Sequence, residues 1–280
     1  MRAIRNVAAV VALIALAFLV SGGKESRAAT EATTTVYPLM DVGCGCLLGG
    51  TSGGKWISTD AMSSTVKSGQ KYRVYTLKGY LGQATGSAAE SMGVPCEEER
   101  EVTIKPAYKG DIVVASGGPW AAMPRVPKSL GANQPVYVKA VSDLLKARGI
   151  ASPRVKIEQI VQIDLEGDRV NEVLVSASYF GGSDANGPTP SAEAGDYSIL
   201  FMRKVINGKL ETIVLADGEY PQPLEFAAPL KYTLGGVLDL NGDGVMEIVV
   251  HSEYYEGLSS SVFQVNGAQV EEVLFCGCGA

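Results

Sequence analysis

The stretch DLNGDGVMEIVV, residues 239–250, sets Asp239, Asn241 and Asp243 at alternate positions of a glycine-containing loop and passes at once into an apolar, β-branched run. Such a run favours an extended exit, so the unit is a loop that feeds a strand. A second stretch, DLEGDRVNEVLV at residues 164–175, shares the frame D-L-x-G-D-x-V-x-E and the apolar continuation. The device occurs twice, which marks an internal repeat. In the first copy VLVSASYFGG (173–182) leads through a polar loop to YSILFMRKVINGKLETIVL (197–215). In the second, IVVHSEYYEG (248–257) leads almost directly to SSVFQVNGAQVEEVLF (260–275). Asn207-Gly208 and Asn266-Gly267 are two-residue hairpin signals, because both central residues of that turn need positive φ. Each copy is therefore an acidic loop, a strand and a hairpin, and the repeat region is β-rich.

Working outward, QPVYVKAVSDLLKARGI (134–150) carries Pro135 at a tolerated first-turn position. Val138, Val141 and Leu145 share one helical face, Lys146 and Arg148 occupy the last turn, and Gly149 acts as a stop, which predicts a helix over 135–148. Residues 111–133 hold glycine pairs with Pro119, Pro124 and Pro127 and read as a connection. Before them, CLLGGTSGGKWIS (46–58) is a hairpin signal, and KYRVYTLKGYLG (71–82) and REVTIKP (100–106) alternate as strands do. The expected fold is mainly β. It comprises an N-terminal β domain (29–110), a linker (111–133), and a segment of one helix plus two blade-like β repeats (134–280).

The chain opens with Arg2 and Arg5, continues with an uncharged apolar stretch from Val7 to Val20, and then carries small residues through Ser26 and Ala28. That order is expected of a secretory signal peptide over residues 1–28. The apolar stretch is shorter than the roughly 20 residues a spanning helix needs, so no stable membrane span is expected after cleavage. Removing the leader takes away Arg2, Arg5, Lys24 and Arg27 with Glu25, so the net charge of −6 becomes −9. An acidic chain without a basic cluster argues against a nucleic-acid partner, which needs a basic stripe to displace counterions. Cys44 and Cys46 form one Cys-Gly-Cys pair, Cys276 and Cys278 another, and Cys96 lies between. In an exported chain disulfides are the default, for example Cys46 to Cys278. Free thiols and a four-thiolate metal site are the alternatives, and an odd count leaves one thiol over.

The acidic loop has its own chemistry. A hard cation such as calcium takes about six to eight oxygens from carboxylates, amides and carbonyls. Asp239, Asn241 and Asp243 occupy the first, third and fifth positions, Gly244 permits a sharp turn, Val245 offers a carbonyl, and Glu247 closes the set. An EF-hand opens the same way but ends on a later Glu and continues as a helix. The early Glu and the strand exit resemble instead the calcium loops of integrin-type FG-GAP repeats and their VCBS relatives, blade-like sheets of secreted proteins. The resemblance spans residues 155–275 and is most specific over 237–250. It implies calcium held by Asp239, Asn241, Asp243 and Glu247 with the Val245 carbonyl, although family members commonly carry Asp where Glu247 stands. In the first copy Asp164, Glu166, Asp168 and Glu172 match, but Arg169 replaces the glycine. The bland reading is an acidic turn without an ion, its carboxylates capping backbone N–H groups.

Little points to catalysis. His251 is the one histidine, and the chain lacks a Gly-x-Ser-x-Gly elbow, a phosphate loop and a His-Glu-x-x-His helix. The expected role is a calcium-stabilised binding or envelope-associated module with an extracellular or envelope ligand. The alternative is a secreted hydrolase whose site lies between the halves and uses His251, Glu253 and Tyr254.

Overall fold

A computed structural model describes residues 35–108, 113–182 and 188–279. The expected leader, residues 1–28, lies outside them. The fold is mainly β, as the alternation predicts, and its strands fall into three antiparallel sheets in chain order.

The first sheet uses β1 (Tyr37–Asp41), β2 (Cys46–Ser52), β3 (Lys55–Ile57), β4 (Lys71–Thr76), β5 (Gly79–Gly86), β6 (Glu90–Ser91), β7 (Arg100–Glu101), β8 (Ile104–Lys105) and β9 (Val114–Ser116). The short helix α1 (Thr59–Ser63) follows β3. The hairpin expected over 46–58 turns at Gly53-Gly54, both with positive φ. The run 71–82 is a hairpin too, with β4 folding back on β5. Residues 111–133, expected to be a connection, do more than connect. β9 sits in the middle of this sheet between β1 and β4, fully buried. The segment's glycines and prolines hide a three-residue buried strand that only its partners make recognisable.

The second sheet orders β10 (Lys128–Ser129), β11 (Ile157–Ile163), β12 (Glu172–Tyr179), β13 (Asp196–Ile206) and β14 (Lys209–Tyr220). The third is an up-and-down meander of β15 (Lys231–Leu238), β16 (Glu247–Tyr254), β17 (Gly257–Asn266) and β18 (Gln269–Gly279). Each acidic loop joins the first two strands of its meander, β11 to β12 and β15 to β16. The two hairpin turns differ. Asn207 and Gly208 both take positive φ, as the two-residue turn requires. In the second copy Asn266 pairs with Gln269 in the ladder, so the turn is Gly267-Ala268, one residue later than expected, with glycine at its first central position.

The sheets stack face to face. Leu174, Leu200 and Met202 of the second sheet meet Ile248, Val250 and Val265 of the third. The opposite face of the third, Val249, Val262 and Leu274, meets Leu39, Leu48 and Tyr75 of the first. Helix α2 (Pro135–Ala147) covers the outer face of the second sheet through Val141 and Leu145, against Val175, Ile199 and Phe201. Gly149 ends this helix at φ +95°. The runs VLV and IVV are continuous because both faces of their strands are buried. Removing each such side chain from water contributes roughly 1.5–3 kcal/mol. The described residues form one compact unit.

Candidate functional site

The two acidic loops fold by the same hydrogen bonds. In the second, Asp239 Oδ1 accepts from Gly242 N–H at 2.7 Å and Oδ2 from Gly244 N–H at 3.1 Å. Asp243 Oδ1 accepts from Val245 N–H, and Glu247 Oε2 accepts from Leu240 N–H at 2.7 Å. In the first, Asp164 accepts from Gly167, Asp168 and Arg169, Asp168 from Val170, and Glu172 from Leu165. Arg169 takes φ +72° where Gly244 takes +89°. The arginine therefore keeps the loop's path, at a strain of order 1 kcal/mol that glycine avoids.

Their electrostatics diverge. In the first copy the ammonium of buried Lys204, on β13, lies 2.6 Å from Glu166 and 4.0 Å from Glu172. The matching place on β17 is held by Gln264, one position beyond the Ile248–Phe263 pair and so beside Glu247. Its amide oxygen accepts from Trp56 Nε1 at 3.1 Å. No ammonium is supplied there. Glu247 is 0% exposed, and its Oε1 is buried without a hydrogen-bond partner. Burial pushes its carboxyl up to about 8 against the pull of the Leu240 N–H, with the charges of Asp243 and Asp239 adding to the rise. Burial also raises Asp239, opposed by its hydrogen bonds from Gly242 and Gly244.

The segment expected to be a linker braces both loops. Arg125 donates from Nε to the Asp164 carbonyl at 2.5 Å and from one Nη to the carbonyls of Leu165 and Gly244 at 2.7 and 2.8 Å. Trp120 Nε1 donates to the Asp239 carbonyl at 2.7 Å, and Asp239 N–H donates to Ala122. A cleft of about 640 Å³ opens beside the second loop, lined by Asp243, Val245, Gln264, Asn266, Gln269 and Glu271, with Glu166 from the first loop. Lys204, Gln264, Arg125 and Trp120 all escape the motif reading. Aligned on their Asn-Gly pairs, the two hairpins set Lys204 against Phe263, and only the one-residue shift of the second turn brings Gln264 to the matching place. Nothing in the sequence marks Arg125 or Trp120, whose partners are backbone carbonyls distant in the chain.

The second loop's donors suit a hard cation in kind: two Asp, one Asn, one carbonyl, and a buried Glu with a spare oxygen. Their placement is less complete. Asn241 Nδ2 donates to Asp243 Oδ2 at 2.9 Å, so these two side chains face each other. Gathering them on an ion requires that bond to open. Among the described residues, the set of three or more His, Cys, Asp or Glu donors drawn within 4.8 Å is not carboxylate but sulfur: Cys44, Cys46 and Cys276.

Of the residues of the hydrolase alternative, all on β16, His251 does not line the pocket that Glu253 and Tyr254 share. His251 Nδ1 lies 3.3 Å from Asp41 Oδ2 and 3.2 Å from Ser260 Oγ, while Ser260, fully buried, donates directly to Asp41. One imidazole nitrogen faces both partners, so the group is not arranged as serine, histidine and aspartate in series. Burial would raise the Asp41 carboxyl, yet its hydrogen bonds from His251 and Ser260 prevail and hold it below the usual range. Glu253 and Tyr254 line a different, open pocket with Cys44 and Cys278.

The cysteines join the two ends of the chain, with a pairing different from the example expected. Cys46 is bonded to Cys276, and Cys278 to Cys96, while Cys44 is free. The third sheet's last strand brings Cys276 against β2, where the sequence offers no means of choosing among partners. These bonds fit an oxidising compartment. Among the described residues no helix is long and apolar enough to cross a membrane.

No protein-family model matches this chain, and neither a curated protein nor a solved structure matches it.

Proposed function

We propose that the chain is an exported binding module of the extracellular space or cell envelope, stabilised by one calcium ion in the second acidic loop. Asp239, Asn241, Asp243 and Glu247 would hold the ion with the Val245 carbonyl. It would neutralise the buried carboxyls of Asp239 and Glu247 together with the exposed Asp243, and take no part in bond making. The observation that carries this reading is the contrast between the copies. Glu172 and Glu166 have the Lys204 ammonium, whereas Glu247 has a buried oxygen with no partner and only neutral Gln264 alongside. Burial pushes the unpartnered Glu247 carboxyl up to about 8, so it holds a proton at neutral pH, and a bound cation would take that proton's place and favour the carboxylate. Two disulfides agree with an exported setting. The cleft beside the loop is the place we assign to an extracellular or envelope ligand.

Equilibrium calcium binding to the purified protein tests the reading. The expected result is one ion per chain with a dissociation constant in the range of extracellular modules, roughly 0.1–1 mM. Asp243→Ala should abolish it, whereas Asp168→Ala should leave it in place. Absence of binding at millimolar calcium, or full binding in Asp243→Ala, would overturn the assignment.

A further inference from the structure

We propose that Cys44 is an alternative partner in the strap joining the chain's ends: its thiol exchanges with the Cys46–Cys276 disulfide, so that Cys276 is held in turn by Cys46 and by Cys44. The sulfurs of Cys44, Cys46 and Cys276 all lie within 4.8 Å of one another. Cys44 sits in the turn before β2, with Gly45 at φ +74° between it and Cys46. The side chain is half-buried and lines an open pocket of about 410 Å³ with Glu253, Glu256, Leu258 and Cys278. Cys46 and Cys276 are both 0% exposed, and Cys44 is the half-buried residue of the three, its thiol donating to the Asp41 carbonyl.

The step conserves electrons. The Cys44 thiol loses its proton to water, and the thiolate attacks Cys276 Sγ. A Cys44–Cys276 bond forms, the Cys46–Cys276 bond breaks, and Cys46 leaves as a thiolate that takes up a proton. No oxidant or reductant enters. The Cys96–Cys278 bridge stays closed throughout and holds β18 beside its partners, so Cys276 does not drift away when its first bond opens. Burial, with the carboxylates of Asp41 and Glu99 adding, pushes the Cys44 thiol up to about 12. The free thiol therefore rests protonated, and exchange runs through a small thiolate fraction, slowly rather than as a reagent toward outside disulfides.

The test is thiol mapping of the oxidised protein. After prolonged incubation of the folded wild type without added thiol, the protein is denatured into excess maleimide and its peptides are sequenced by mass spectrometry. The expected result is label on Cys44 in most chains and on Cys46 in a measurable minority, matched by a Cys44–Cys276 linked peptide. In Cys46→Ser the Cys44–Cys276 linkage should become the main species with Cys96–Cys278 retained. In Cys44→Ser only Cys46–Cys276 and Cys96–Cys278 should appear. Label confined to Cys44 in the wild type, or found on Cys276 in place of Cys46, would overturn the proposal. The wild-type result decides it even if Cys46→Ser fails to fold. Should that variant fold with Cys44 and Cys276 both free, the proposal also fails.

Discussion

Replacing Gln264 by lysine puts an ammonium in the second copy where Lys204 stands in the first, and should substitute for calcium. The native Gln264 accepts one hydrogen bond from Trp56, worth about 1 kcal/mol. The introduced ammonium gains a charge-assisted contact with the unpartnered Glu247 Oε1, worth about 2 kcal/mol. Without calcium the variant should thus be more stable than wild type by about 1 kcal/mol. With calcium at ten times its dissociation constant, the wild type gains RT ln 11, about 1.4 kcal/mol. For a domain of this size, where about 1 kcal/mol moves the melting temperature by roughly 2–4 °C, the wild-type shift should be about 3–6 °C. In Gln264→Lys most of that shift should vanish, because the lysine competes for the same carboxylates. Thermal melts of wild type, Gln264→Lys and Asp243→Ala, each in chelator and in calcium, read all these quantities together. A wild-type-sized calcium shift in Gln264→Lys would refute the argument that lysine and calcium do the same job. A shift of equal size in Asp243→Ala would place the ion elsewhere.

Lys204→Gln performs the converse exchange. It leaves Glu166 and buried Glu172 without their cation, so denaturant melts should show a loss of about 3 kcal/mol, part of it recovered in calcium as the first loop gains a reason to bind. Asp41→Asn should lower stability by about 1–3 kcal/mol at neutral pH. Because the folded Asp41 carboxyl lies below its ordinary 3.8, the wild-type advantage is complete above that pH and disappears as pH falls through the folded value, which urea melts from pH 7 to pH 2.5 would follow. Cys278→Ser opens a bridge that, with Cys46–Cys276 in place, closes a loop of roughly 50 residues. The chain-entropy estimate is a loss of about 4 kcal/mol, read as a lower denaturation midpoint under oxidising conditions only.

Local chemistry made much of this protein legible in advance. Pro135, the apolar spacing through Val141 and Leu145, and Gly149 define helix α2, because caps and periodicity act within a few residues. The repeated frame around Asp164 and Asp239 predicts two loops of one design, and their hydrogen bonds match nearly one for one, since each carboxylate caps N–H groups of its own loop. Other features depend on residues brought from far along the chain. Residues 114–116 are a strand only because β1 and β4 flank them. Cys46 has three possible bridging partners outside its own pair until sheet stacking delivers Cys276. Lys204 neutralises one acidic loop and Gln264 leaves the other short of charge, a difference set by which side chain β13 or β17 lays beside a buried glutamate. Motif residues shape their own backbone, so sequence reveals them. The balance of charge around a buried carboxylate is set by everything packed against it, and that was decided only when the three sheets came together.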